Sequence, residues 1–139
     1  YSPELDDQES GNLSLRKTSH LGFKKDLMSA DAVICNSGFE LISECVHLGL
    51  AILTKPQAAQ MEQQSNAAAL EQLGYATVMK KLEIETIGDW LNNHAFNANQ
   101  TEVQYPDVAL MVTDWLLNGR KESPQTLCET LWGMTTKSE

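Results

Sequence analysis

The 139-residue sequence is short of positive charge: ten lysines and arginines stand against nineteen aspartates and glutamates, for a net charge of −9. That balance excludes nucleic acid as a major partner, because a phosphate backbone is held by a positive stripe. Long apolar runs are missing too, and none approaches the roughly 20 residues of a membrane-spanning helix. The first ten residues, YSPELDDQES, hold four acids and no base, so no secretory signal is expected there. Cysteine is sparse and odd in number, at positions 35, 45 and 128. All three lie in apolar or helical stretches, which points to buried thiols in a reducing compartment, with a cytoplasmic location, rather than to disulfides. No Asp, His or Cys set has metal-ligand spacing and there is no D-x-D motif, so no metal and no cofactor are expected. Internal repeats and low-complexity segments are also absent. The chain begins at Tyr1 rather than Met and is expected to be a piece of a longer protein.

What is present is an alternation of short apolar runs and amphipathic stretches. Residues 1–11 read as a loose polar leader, and residues 12–139 as a single α/β domain, since a chain of this size buries roughly two thirds of its unfolded surface. Asn12–Lys17 (NLSLRK) alternates like a short strand, and Ser19 can cap a helix running to Ser29. Ala32–Cys35 (AVIC) is wholly apolar, as for a strand buried on both faces. A helix carrying Phe39, Leu41, Ile42, Cys45, Val46 and Leu48 closes at Gly49. The strand AILT (51–54), a helix over 59–73 ended by Gly74, and the strand ATVM (76–79) follow. A helix over 83–93 leads into the polar loop NNHAFNANQ; Pro106 suits the first position of the next helix, and Ser123-Pro124 starts a last one. Strands alternating with helices predict a parallel, Rossmann-like sheet with helices on both faces. Ligands of such sheets bind at the carboxyl ends of the strands.

Two strand-to-helix turns draw attention. After Cys35, Ser37 and Glu40 fit an S-x-x-E capping box, and Gly38 lets a ligand approach the backbone. The free N–H groups of that first turn suit a diphosphate; equally, Ser37 and Glu40 serve only as caps and Gly38 only eases packing. Glu44, one turn further on, is either a solvated carboxylate or a holder of vicinal hydroxyls. After AILT, the stretch Lys55–Asn66 is rich in amides, with Gln57, Gln60, Glu62, Gln63 and Gln64. Such groups suit the hydroxyls of a neutral sugar, or simply face water.

The segment ADAVICNSGFELISECVHLGLAILTKPQAAQMEQQSNAAALEQLGYA resembles the carboxyl-terminal, donor-binding half of GT-B glycosyltransferases. The nearest kinds are family 28, which includes transferases of N-acetylglucosamine to the lipid-linked peptidoglycan precursor, and related bacterial glycosyltransferases. The shared pattern joins an apolar strand, S-G, a helix carrying Glu, a Pro turn, then E-Q-x-x-N-A and L-x-x-x-G, over residues 19–79. The resemblance implies a nucleotide-sugar donor, usually of UDP, as substrate. It would set Ser37, Gly38 and Phe39 at the diphosphate, Glu44 at the ribose, Glu62 and Gln63 at the sugar, and Asn66 in support of that turn. Arg16–Ser19 would match the loop that holds the base. Two departures stand out: Leu50 and Ala51 replace a common proline step, and Glu40 replaces a small or hydroxylic residue. The catalytic base is expected from an amino-terminal domain that this chain lacks; of the histidines, His20 at a helix start could approach the ligand, His47 late in a helix reads as surface, and His94 lies in the later loop. The whole protein would then be peripheral at the inner membrane. By the same match NLSLRK, AVIC, AILT and ATVM are four of six parallel strands, so the sheet is truncated and AVIC has an edge that NLSLRK or a second copy would cover. A nucleotide-sugar epimerase or hydrolase, or a non-enzymatic α/β module, are the alternative readings.

Overall fold

The computed structural model describes residues 2–93 and 103–137. The chain divides into two compact units, Tyr1–Asp31 and Ala32–Glu139.

In the first unit, strands β1 (Gln8–Ser10) and β2 (Leu13–Leu15) form an antiparallel hairpin with Ser10 opposite Leu13. The turn is Gly11-Asn12, and Gly11 takes a φ of 58°, a conformation that glycine adopts without steric cost. This corrects the place expected for NLSLRK. The strand exists in shortened form, but its partner comes from the segment read as leader, and it is not a member of the parallel sheet. The cause is local, because the turn reverses the chain before the strand begins. The Lys17 amide donates to Asp7 Oδ1 at 2.8 Å, and Arg16 pairs with Glu9 at 3.1 Å and with Asp26 at 3.7 Å. Helix α1 (His20–Met28) starts at the predicted cap, with Ser19 Oγ accepting from the Gly22 amide at 3.1 Å.

The second unit holds a parallel sheet of β3 (Ala32–Cys35), β4 (Ala51–Thr54) and β5 (Thr77–Val78), in the order β3-β4-β5. Each strand leads into a helix: α2 (Phe39–His47), α3 (Met61–Leu73) and α4 (Ile84–Asn93). The α/β class is thus as the alternating pattern predicts. Leu53 of β4 is fully buried and packs with Met79 and with Trp90 of α4, flanked by Ala32, Ala51 and Ile87. Strand alternation sends Ile52 and Thr54 to the opposite face, where both are also buried. β4 has partners on both sides, so it is buried in the way its apolar run predicts. β3 does not match that expectation. It lies at the edge, bonded to β4 alone among the described residues, and Ile34 is 44% exposed. An apolar run reports that a strand is sheltered, not from how many sides.

Helix α5 (Val108–Leu117) begins two residues later than the proline signal suggests. Asp107 is its cap, accepting from the Leu110 amide at 2.9 Å, so Pro106 lies before the cap rather than at the first helical position. A carboxylate that satisfies an amide outcompetes a preset φ. Helix α6 (Pro124–Met134) starts as expected, with Ser123 as cap and Pro124 next. Two short strands, β6 (Val103–Gln104) and β7 (Thr136–Lys137), pair antiparallel; at two residues each they leave no periodicity to read. Asn92 and Asn93 close α4, while His94 and the rest of the NNHAFNANQ loop lie outside the described residues. Among the described residues no helix is long and apolar enough to cross a membrane.

Cys45, on α2, has no exposed surface. Burial, with smaller contributions from Cys35 and Glu44, pushes its thiol from the usual 9.0 up to about 12. An unfolded chain ionises this thiol near 9 while the folded one keeps its proton. Stability from this source is therefore complete below pH 9 and is lost as pH rises toward 12. Urea unfolding at about pH 8 and about pH 10.5 should show a larger loss for the native chain than for Cys45→Ala; equal losses would contradict the buried, neutral thiol.

Candidate functional site

β3 and β4 run parallel with Cys35 opposite Thr54, so both strands end at one level and their following turns are neighbours. Polar groups bind these turns together. Thr54 Oγ1 donates to the Cys35 carbonyl at 3.1 Å and meets Ser37 Oγ at 2.8 Å. A hydroxyl has one proton to give, so Ser37 is the donor in the second bond. Asn66, on α3, reaches back and donates from Nδ2 to the Ser37 carbonyl at 3.1 Å. Gln63 Oε1 accepts from the Gln57 amide at 2.9 Å and so fixes the loop that enters α3. Burial raises the Cys35 thiol above its usual range.

These bonds overturn one local expectation. Ser37 does not cap α2: its side chain is fully buried against Thr54, the cap position is Gly38, and no side chain bonds the first turn. The capping box is therefore not formed. Buried hydroxyls find each other because either one left alone would lose its hydration without replacement. Gly38 has φ −70° and ψ 142°, angles open to any residue. An added Cβ would meet only Asn36 Oδ1, at 3.3 Å, so what the glycine leaves is space beside the helix end.

Helix α3 likewise starts, at Gln60, without a side-chain cap, whereas Ser19, Asp107 and Ser123 cap α1, α5 and α6. The first amides of α2 and α3 have no intrahelical partner. The residues around them divide into two kinds. Ser37 and Gln63 are buried, the first bonded to the Thr54 hydroxyl and the second to the Gln57 amide; Asn66 is half-buried and holds the Ser37 carbonyl. Phe39, Glu44 and Glu62 are exposed, Phe39 by 68%, and among the described residues neither carboxylate has a hydrogen bond or ion pair. His47 is exposed at the end of α2, away from the strand ends. Thr54 escaped the sequence reading, and Gln57 entered it only as a member of the amide-rich stretch, whereas the structure uses its backbone amide. Thr54 was legible only as the one polar residue closing an apolar strand. Among the described residues no group of three His, Cys, Asp or Glu side chains converges as metal ligands do.

Fold and site together describe an α/β protein whose open hydrogen-bonding groups lie at the carboxyl ends of parallel strands, where ligands of this class bind. The family follows from comparison with known proteins. The model of Glycosyl transferase family 1 matches residues 3–94, and the chain belongs to that family. An uncharacterized glycosyltransferase of Methanosarcina acetivorans is 27% identical over 138 residues, covering 93% of this chain and 33% of that protein. A UDP-N-acetylglucosamine--N-acetylmuramyl-(pentapeptide) pyrophosphoryl-undecaprenol N-acetylglucosamine transferase of Paraburkholderia xenovorans is 41% identical over 69 residues, 47% of this chain and 18% of that protein. The transferase of the same name from Burkholderia lata is 38% identical over 71 residues. These relatives agree with the glycosyltransferase resemblance of the motif. The chain spans about a third of the length of the Methanosarcina relative. No solved structure matches it.

Replacing Asn66 by Ala removes the one side-chain bond from α3 to the Ser37 carbonyl. Urea unfolding should register a loss of about 1 kcal/mol. An unchanged midpoint would mean that water replaces the amide at no cost.

Proposed function

We propose that this chain is the donor-binding part of a glycosyltransferase that transfers a hexosyl group from a UDP sugar to an acceptor hydroxyl, and that it is inactive without an amino-terminal domain. The observation that carries this reading is the pair of neighbouring uncapped helix starts, α2 and α3, beside a fully satisfied scaffold. Open amides with the positive helix end are the chemistry that a diphosphate needs. In this reading the diphosphate sits at the turn Ser37-Gly38-Phe39 and takes the first-turn amides of α2, with the Gly38 N–H, which donates to Asn36 Oδ1 at 3.3 Å, released from that side chain; Glu44 accepts from the ribose hydroxyls, and Glu62 and Gln63 serve the sugar. Asn66 keeps the two turns in place. The negative charge that grows on the leaving UDP is stabilised by fixed dipoles, which need no reorganisation as the bond breaks. The base that activates the acceptor comes from the amino-terminal domain. The choice of UDP draws on the names of the two N-acetylglucosamine transferases among the relatives. Three unpaired thiols, Cys35, Cys45 and Cys128, favour a reducing, cytoplasmic compartment.

Calorimetric titration with UDP and with UDP sugars tests the assignment. The native chain should bind, and Glu44→Ala should weaken UDP about tenfold, or about 1.4 kcal/mol. Glu40→Gln removes a carboxylate from the first turn of α2 and should tighten UDP. No UDP binding by a folded sample would favour a non-enzymatic module, and binding indifferent to Glu44→Ala would remove the ribose role.

Among the described residues β3 pairs with β4 alone, and that edge also supports self-association, since an edge strand offers backbone groups to a second copy. Sedimentation velocity should show a species that grows with concentration. A clean monomer at high concentration would exclude the dimer.

A further inference from the structure

A groove of about 570 Å³ lies between α5 and α6, lined by Met111, Asp114, Trp115, Asn118, Lys121, Glu122 and Leu127. That volume falls within the range of small-molecule sites, roughly 300–1,000 Å³. Its apolar part is Trp115, Met111 and the buried Leu127; its polar part is four exposed side chains. The indole is held in place twice: Nε1 donates to the Glu122 carbonyl at 3.0 Å, and the Arg120 guanidinium stands 5.8 Å from the ring centroid. Both holds leave the polar side chains out of the protein's own bonding. Among the described residues, Asp114, Asn118, Lys121 and Glu122 make no side-chain hydrogen bond or ion pair with the chain.

We infer that this groove binds a neutral saccharide. Two features select that class. The first is charge: the lining sets Asp114 and Glu122 beside Lys121, with Arg120 nearby against the ring, so both signs are interspersed and no cluster of bases draws an anion. The second is the mixture of groups. Carboxylates accept, the ammonium donates and the Asn118 amide does both, around an aromatic ring whose orientation is set. A sugar presents the matching surface, with hydroxyls around its rim and a C–H face that packs on an indole. None of these residues belongs to the donor reading of α2 and α3, so this inference stands or falls separately.

The test is titration of the full chain with maltose, cellobiose and N,N′-diacetylchitobiose, followed by calorimetry and by amide chemical shifts. At least one should bind with a Kd on the order of 1 mM, shifting residues 111–127. The Kd should change less than about twofold between about 50 mM and about 500 mM NaCl, because the ligand carries no charge. Asp114→Ala and Glu122→Ala should each raise it about tenfold. Both side chains are exposed, and Glu122→Ala keeps the backbone carbonyl that holds the indole, so the fold survives and circular dichroism verifies this. Saturating UDP should not displace the sugar. No binding of any of the three at about 20 mM, binding that both substitutions leave unchanged, displacement by UDP, or tighter and salt-sensitive binding of glucose 6-phosphate would each overturn the inference.

Discussion

The hydroxyl of Thr54 is the point on which the carboxyl end of the sheet depends. It spends its proton on the Cys35 carbonyl and takes one from Ser37, so a single atom joins the ends of two parallel strands and the turn that leaves one of them. Each such bond contributes about 1 kcal/mol net, but a buried partner left without its bond costs about 1–3 kcal/mol. The pair therefore behaves as a unit. Once Ser37 is drawn in, its carbonyl is positioned for Asn66, and the start of α3 is tied to the start of α2. The same event turns Ser37 away from the first turn of α2, where a capping role would have placed it. The uncapped first turn is thus a consequence of a satisfied interior, and the open amides are the remainder of that accounting. Ser37, with its only proton directed at Thr54, has none for a ligand, so any donor from this turn must be backbone.

Charge sets the second constraint. A chain of net charge −9 that is to hold an anion has to do so locally, against its own mean field. Both uncapped helices carry an acid in the first turn, Glu40 on α2 and Glu62 on α3. A carboxylate there compensates the helix dipole by about 0.3–1 kcal/mol without occupying an amide through a cap. It steadies the helix end when nothing is bound and opposes an anion that arrives. The two ends differ in what this opposition means. At α3 the carboxylate is itself a good acceptor for sugar hydroxyls, so its presence suits a neutral ligand. At α2 it costs affinity for a phosphate, which backbone amides and the space beside Gly38 have to offset.

How much of this was legible follows from which residues act alone. The helices of residues 19–93 and the strands AVIC and AILT were visible, because an amphipathic or apolar period repeats over several residues and Gly74 or Gly49 marks the stop. The pairing of NLSLRK was not, since two glycine-turn residues decide it and a three-residue strand carries no second signal. Ser37 shows the deeper limit. An S-x-x-E pattern describes what a serine can do within its own helix, whereas the outcome was settled by a threonine 17 residues away. The motif E-Q-x-x-N-A escaped that ambiguity for a physical reason. Gln63 and Asn66 sit three apart on one helical face, and each holds a different segment of backbone, Gln57 and Ser37. Both residues are therefore needed at that spacing for the two turns to meet. A pattern of that kind records a tertiary contact in local sequence, and its joint spacing pointed to a glycosyltransferase, the coarser class that the family match shows.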